Sequence, residues 1–448
     1  MAANGEEFPL ATEQLQSLAA EVLARARAAG ATAAETEISQ AVGQNVGVRL
    51  GEVETIEYNR DKGAGITVYL GQARGHVSTA DLSSDALGAA VEKALAIARY
   101  TAPDPCAGLA DTALLAREWV DLELYFPWAL SAEDAIELAR ECEAAAFAVD
   151  PRVKNSEGAN VSVHQAEFVY ANSAGFCGGY RSSRHGISCA VIAETRAGMQ
   201  RDHWYSSARA AADLEAAPAV GRKAGERAVR RLGAKKLATR QVPVLYEAPA
   251  ATSLLGHFVA AASGGNLYRK ASFLLDREGS AVFSPLINLS ERPHLPRGPA
   301  SAPFDDEGVA TRAREVVAQG VLQGYFLGSY SARKLGRQTT GNAGGAHNLL
   351  LEGGSENFLA LVKRLDRGLV VTELLGQGVN LVTGDYSRGA VGFWVEHGEI
   401  VHAVEEVTIA GNLGEMYRGI VAVGSDVDVR GSRQCGSILL ENMTLAGS

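Results

Sequence analysis

Hydrophobic positions along this chain fall into two rhythms that alternate in blocks. "TEQLQSLAAEVLARARAAG" (12–30) places Leu15, Leu18, Ala19 and Val22 on one helical stripe, with Thr12 as the cap candidate and Gly30 as the stop. Period two then takes over in "AETEISQ", "NVGVRL", "VETIEYN", "GAGITVYL" and "ARGHVSTA". Gly, Asn and Asp punctuate these runs, which predicts an antiparallel meander. "SSDALGAAVEKALAIARY" closes the block as a second helix, and "TAPDPCAG" follows as a linker. The same order recurs: the capped helix "SAEDAIELARECEAAAFAVD", strands in "ANVSVHQAEFVYANSAG", "FCGGYRSSRHGISCAVIAET" and "GMQRDHWYSSA", and the closing helix "EAAPAVGRKAGERAVRRLG". We therefore expect two helix–meander–helix units, over residues 1–110 and 111–240, with the element order of an old duplication.

Beyond "GAKKLATRQ" (233–241) the rhythm changes. Glycine becomes frequent and strand-like runs dominate: "VPVLYEA", "LVVTELLG", "GVNLVTGD", "AVGFWVEHGEIVHAVEEVTIAG", "GIVAVGSDVDV" and "SILLENMTLAG". Helical pieces interrupt them near 251–262 and at "SENFLALVKRLD", and "EHGEI" has the form of a hairpin turning at Gly398. Residues 241–448 are expected to form a mostly-β domain, barrel- or sandwich-like. The whole is an α+β chain: an N-terminal α/β region of two units and a β-rich C-terminal domain.

Composition adds exclusions. A formal net charge of −10 over 448 residues speaks against a nucleic-acid binder that works by neutralising phosphates. "MAANGEEFPL" carries acidic residues where a secretory leader has basic ones, and "RGLVVTELLGQGVNLVTGD" is too interrupted to span a membrane. Five scattered cysteines, none in a C-x-x-C pair, fit a reducing compartment better than a disulfide framework. A cytoplasmic protein with no membrane or nucleic-acid partner is the expectation.

Familiar catalytic motifs are missing. There is no phosphate loop, no H-E-x-x-H, and "GDYSRG" misplaces Ser387 for a nucleophile elbow. "SLLGHFVAAASGG" (253–265) puts a single histidine, His257, on an apolar helix without a second ligand on its face, where zinc needs three or four converging donors. "YSARKLGRQTTGNAGGAHN" (330–348) reads as a long surface loop, or as an extended chain whose Arg333 and His347 could meet peptide carbonyls or a carboxylate. In "VTGDYSRGAVGFWVEHGEI" (382–400), Asp385 and Arg388 flank Tyr386 and Ser387 in what reads as a tight turn, either internally ion-paired or facing a substrate. Cys435 in "GSRQCGSILL" reads as a small buried strand residue.

Long strings of the C-terminal half resemble the PmbA/TldE branch of the TldD/PmbA (peptidase U62) family. They are "GHFVAAASGGNLYRKASFLLD", "RPHLPRGPASAPFDDEGV", "SYSARKLGRQTTGNAGGAHN", "LVVTELLGQGVNLVTGDYSRGAVGFWVEHGEI", "VTIAGNLGEMYRGIVAVGSD" and "QCGSILLENMTLAG". The resemblance implies a subunit that pairs with a TldD-type partner in a zinc metallopeptidase acting on peptides and unfolded proteins, including antitoxin degradation and peptide-antibiotic maturation. It implies zinc in that partner and none in this chain. The TldD branch binds zinc through a His-Glu-x-x-x-His segment and a downstream cysteine. Those positions fall here on Gly256, His257, Ala261 and Cys435, so one ligand of three remains and the general base is replaced. Three readings follow: a non-catalytic subunit that shapes a substrate channel, an autonomous hydrolase built on His257, Cys435 and the Asp385–Arg388 segment, or a homodimeric peptide-binding regulator. A homodimer is also expected when the partner is absent.

Overall fold

The structure is a computed structural model that describes residues 8–196 and 198–447. The N-terminal half runs α1 (Thr12–Ala28), β1 (Ala33–Arg49), β2 (Glu52–Leu70), β3 (Ala73–Thr79), α2 (Ser84–Tyr100), α3 (Ala132–Phe147), β4 (Val153–Asn172), β5 (Cys177–Thr195), β6 (Gly198–Ala208) and α4 (Ala217–Arg230). The two helix–meander–helix units are therefore present. Antiparallel pairing of β1 with β4 fuses them into one six-stranded sheet, ordered β3-β2-β1-β4-β5-β6. α1 and α2 cover one part of that sheet around Leu15, Ile38, Ile66 and Leu95, and α3 and α4 cover the other around Cys142, Val161, Val191 and Val220.

Two local expectations change. The separate short runs merge into strands of 17 and 19 residues, because Gly43 and Gly47 lie inside β1. A Cβ on Gly47 would stand 2.9 Å from Asn160 Oδ1 of β4, so glycine here permits close strand approach instead of marking a turn. The actual turn is Leu50–Gly51, both at positive φ, and the Glu143 carboxylate of α3 accepts both of their N–H groups at 2.9 and 2.8 Å. Thr12 is the first helical residue and Ala11 the cap; the Thr12 hydroxyl instead donates to Glu167.

The C-terminal half continues β7 (Arg240–Tyr246), α5 (Ala248–Ala261), α6 (Gly264–Tyr268), β8 (Leu289–Glu291), β9 (Arg314–Ala318), β10 (Val321–Leu322), α7 (Ser329–Lys334), β11 (Leu349–Leu351), α8 (Phe358–Leu365), β12 (Gly368–Leu375), β13 (Asp385–Glu396), β14 (Glu399–Asn412), α9 (Leu413–Arg418), β15 (Ile420–Val423), β16 (Arg433–Gln434) and β17 (Ile438–Ala446). Strands pair in the order β14-β13-β12-β7-β17, and β14 pairs again with β17, so five strands close into a barrel. His397 and Gly398, at φ 55° and 73°, make the tight β13–β14 turn. "GVNLVTGD" is a turn up to Gly384, with an isolated bridge from Val379 to Tyr386, and its last residue, Asp385, opens β13. A second sheet of short strands, β10-β9-β8-β11-β16, carries β16 at its edge.

The halves are locked together by buried ions. Asp202 of β6 meets Arg227 Nε at 3.2 Å and Arg231 Nε at 3.0 Å, Arg227 Nη1 donates to Glu247 at 2.9 Å, and Arg231 Nη2 reaches Glu373 of β12 at 2.5 Å. No helix among the described residues is long and apolar enough to cross a membrane.

Candidate functional site

Helix α5 leaves β7 at Tyr246, with Pro249 in its first turn, where a missing N–H does no harm. Its apolar face of Ala251, Leu254, Leu255, Phe258 and Ala261 enters the core of the C-terminal half, and each large side chain contributes about 1.5–3 kcal/mol by burial. Tyr417 Oη donates to the Leu254 carbonyl at 2.9 Å, and Phe258 meets Phe283 edge-on, ring centroids 5.1 Å apart. The helix is a rigid platform, and it packs against β16.

That contact brings together Gly256, His257 and the segment Arg433–Cys435. A Cβ on Gly256 would lie 3.5 Å from Arg433 Cζ and 3.6 Å from its Nε and Nη1, so the guanidinium of Arg433 covers this face of the helix. The His257 ring meets Tyr386 edge-on, centroids 5.9 Å apart, and its Nε2 is buried with no hydrogen-bond partner among the described residues. Burial, then the nearby Arg388 and Arg433 charges, push the His257 pKa down, which favours a neutral ring. Ala261 is fully buried and offers no donor. Cys435 is also fully buried; burial and the neighbouring Asp428 and Asp426 push its thiol up to about 12, against the modest pull of Arg433. Such a thiol is not a ready nucleophile at neutral pH. Among the described residues, no group of three or more His, Cys, Asp and Glu side chains is placed to hold a metal ion.

The other candidate residues sit elsewhere than the sequence suggested. Asp385, Tyr386, Ser387 and Arg388 open strand β13 instead of forming a turn, so they alternate between faces. Asp385 and Ser387 point out, and Asp385 accepts from the Thr383 hydroxyl at 2.6 Å. Tyr386 points into the core, where its hydroxyl lies 3.3 Å from that of Tyr246. Arg388 does not pair with Asp385; its Nη2 reaches the Leu374 carbonyl at 3.5 Å and its Nε is buried without a partner among the described residues.

Arg333 belongs to α7 and is not in an extended loop. Its guanidinium donates to the carbonyls of Cys106, Gly108 and Leu109, so it clamps the inter-unit linker to the C-terminal half. His347 is buried: its Nδ1 lies 3.0 Å from Glu291, which Arg314 Nε also contacts at 2.8 Å and to which the Asn342 amide donates at 2.7 Å. Burial opposes the Glu291 carboxylate, but the His347 and Arg314 partners win and hold its pKa at about 2, below the ordinary 4.5. A depressed folded-state pKa gives stability that is fully present above 4.5 and disappears as pH falls through about 2. Glu291→Gln is therefore expected to flatten the loss of stability between those two values, read as denaturant midpoints against pH. An unchanged slope would refute this assignment.

Arg433 is the residue that sequence reasoning passed over. It stands two places before Cys435 in "GSRQCGS", and only the packing of β16 on α5 gives it meaning.

The comparisons with known proteins agree along the whole chain. Residues 34–98 match domain 1 of the PmbA/TldA metallopeptidases, 125–232 their central domain and 239–447 their C-terminal domain. Metalloprotease PmbA of Escherichia coli O157:H7 is 48% identical over 414 residues, covering 92% of each chain. The PmbA homologue of Haemophilus influenzae is 46% identical over 436 residues, covering 97% of this chain and 96% of its own. Among solved structures, a candidate modulator of a DNA gyrase from Bacteroides thetaiotaomicron superimposes with a TM-score of 0.93 at 27% identity, over 98% of this chain and all of the other. TldE from Thermococcus kodakarensis shares the fold, with a TM-score of 0.83 at 19% identity over 98% of this chain and 100% of that one. Three consecutive domain matches and close relatives over nearly the full length place this chain in the PmbA/TldE branch of the PmbA/TldD metallopeptidase family.

Proposed function

We propose that this chain is the non-catalytic subunit of a cytoplasmic two-subunit zinc metallopeptidase, pairing with a TldD-type chain and shaping the channel for peptides and unfolded proteins. The observation that carries this reading is the Arg433 guanidinium seated over Gly256, where the TldD branch has its first zinc histidine. Hydrolysis at zinc needs a held cation with an open coordination position and a carboxylate to accept the proton of water. At the matching positions this chain presents Gly256 and Ala261, which have no donor, and His257 in place of the carboxylate, with two guanidiniums close by. Zinc is accordingly assigned to the partner.

The N-terminal sheet supports a role in docking. β3 pairs with β2 only from Ala64 to Leu70, so the outer edge of β2 over Glu52–Gly63 has no neighbouring strand among the described residues. Ile56 and Tyr58 are exposed on this edge, which suits the addition of a strand from a partner subunit or an extended peptide. A homodimer forming through the same surfaces in the absence of the partner belongs to this proposal.

The test is zinc content and peptide cleavage for the pure chain, the pure TldD-type partner and their mixture. The expected result is stoichiometric zinc only where the partner is present, with cleavage by the mixture. Zinc-dependent cleavage by the pure chain would overturn the reading and favour an autonomous hydrolase.

A further inference from the structure

A cleft of about 530 Å³ opens between the N-terminal sheet and the C-terminal half, with Arg184, Arg209, Arg297, Pro296, Val429 and Gln434 in its walls. Its charge balance is unusual for a chain of net charge −10. Three arginines line it and Asp213 is the one acid among the residues that do. Asp213 is already engaged, at 3.2 Å from Arg297 Nη1, and Glu123 takes Arg297 Nε at 2.9 Å.

Arg184 and Arg209 have no carboxylate partner among the described residues. Arg209 donates Nε to the Gly298 carbonyl at 3.1 Å, Nη1 to Ser183 at 3.2 Å and Nη2 to Pro299 at 3.0 Å. These three bonds fix the guanidinium between the two halves and leave two of its five N–H groups free. Among the described residues Arg184 uses only Nε, on the Ser207 hydroxyl at 3.1 Å. Burial, followed by the Arg184 charge, pushes the Arg209 pKa below its ordinary value. Two guanidiniums that line one cleft, neither with a carboxylate of its own among the described residues, repel each other, and a bound anion relieves that repulsion.

We propose that this cleft binds a carboxylate group of an extended peptide, with Arg184 and Arg209 as the recognising pair and Pro296 and Val429 as apolar walls for the flanking residue. The peptide part rests on the function proposed above. It is favoured by Gln434, which lines the cleft and precedes Cys435 on the segment that packs against α5. The planar fork of a guanidinium suits carboxylate geometry.

The full-length chain, without any partner, is titrated calorimetrically with a short Ala/Val/Ser peptide that carries one glutamate and a free C-terminus. Two controls have the C-terminus amidated or the glutamate replaced by glutamine, and a third, doubly neutral peptide carries both changes. Removing the carboxylate that the cleft reads is expected to weaken Kd about tenfold, as loss of a charge-assisted hydrogen-bond pair does. Whichever control loses affinity identifies the source as the chain terminus or the side chain. Arg184 is exposed, so Arg184→Gln is expected to fold, to reproduce the loss for the acidic peptide and to leave the doubly neutral peptide unchanged. Equal affinity for charged and neutral peptides, or no effect of Arg184→Gln, would overturn the carboxylate site and leave the subunit reading intact. Binding of none of the peptides would overturn the peptide groove together with it. Failure of the subunit reading itself is visible separately, in the metal and cleavage assays.

Discussion

Asp202→Ala is expected to lower the stability of this chain by about 3–5 kcal/mol, the usual consequence of removing one partner from a buried ion pair. Asp202 is 2% exposed and its carboxylate lies between Arg227 and Arg231, which are 6% and 3% exposed. Without it, two desolvated guanidiniums face each other with Glu247 and Glu373 as their remaining partners. Glu247 is the N-cap of α5 and Glu373 lies in β12, both on the C-terminal side of the junction, so the same substitution loosens the contact between the N-terminal sheet and the barrel. Denaturant unfolding should show the lower midpoint, and limited proteolysis should cut the 233–241 connection sooner. Asp202→Asn, which keeps the shape and some hydrogen bonding, should lose less. A loss under about 1 kcal/mol for Asp202→Ala would mean that the junction is held by apolar packing and that the ions contribute little beyond a surface pair.

How far the sequence reveals this molecule depends on the range of the interactions. Helices α2 and α3 are legible because Ser83 and Ser131 cap them locally, each accepting an N–H three residues on. The two units and the β-rich C-terminal half follow from periodicity, which is also short-range. Strand length in β1 and β2 was hidden because a glycine that admits a neighbouring strand looks like a glycine that turns the chain. Tyr386 and Arg388 were misread for a similar reason: "TGDYSRG" has the composition of a turn, and only pairing with β14 from Asp385 onward makes it a strand. Barrel closure by β14 and β17 is a non-local event that no window of sequence contains. The candidate site shows the same limit. His257 and Cys435 were noticed as residue types with chemistry, whereas Arg433, Arg184 and Arg209 acquire meaning only from what is folded against them.

Putting the family's ligands back should fail while Arg433 stays in place. The variant Gly256→His/His257→Glu/Ala261→His, with Cys435 kept, restores all four matching groups in sequence, yet it is expected to bind zinc substoichiometrically. A histidine at 256 has to displace the guanidinium that lies 3.5–3.6 Å from the position of its Cβ. A fixed unit positive charge about 4 Å from a divalent zinc ion costs about 8 kcal/mol at an effective dielectric constant near 20, twice the value for two unit charges. Ala261 is fully buried, so a histidine there overpacks the core by about 1–3 kcal/mol. Cys435 must also lose a proton that its surroundings hold up to about 12, which makes any binding steeply dependent on pH. Adding Arg433→Met removes the charge and opens the space over the helix, and should raise zinc affinity by at least about tenfold, the effect of as little as 1.4 kcal/mol. Competition with a chromophoric chelator measures both variants, and circular dichroism checks that each is folded. Tight stoichiometric zinc in the triple variant with Arg433 intact would show that the arginine yields readily. It would then be an incidental neighbour of α5, and the case for a subunit built without its own metal would rest on Gly256 and Ala261 alone.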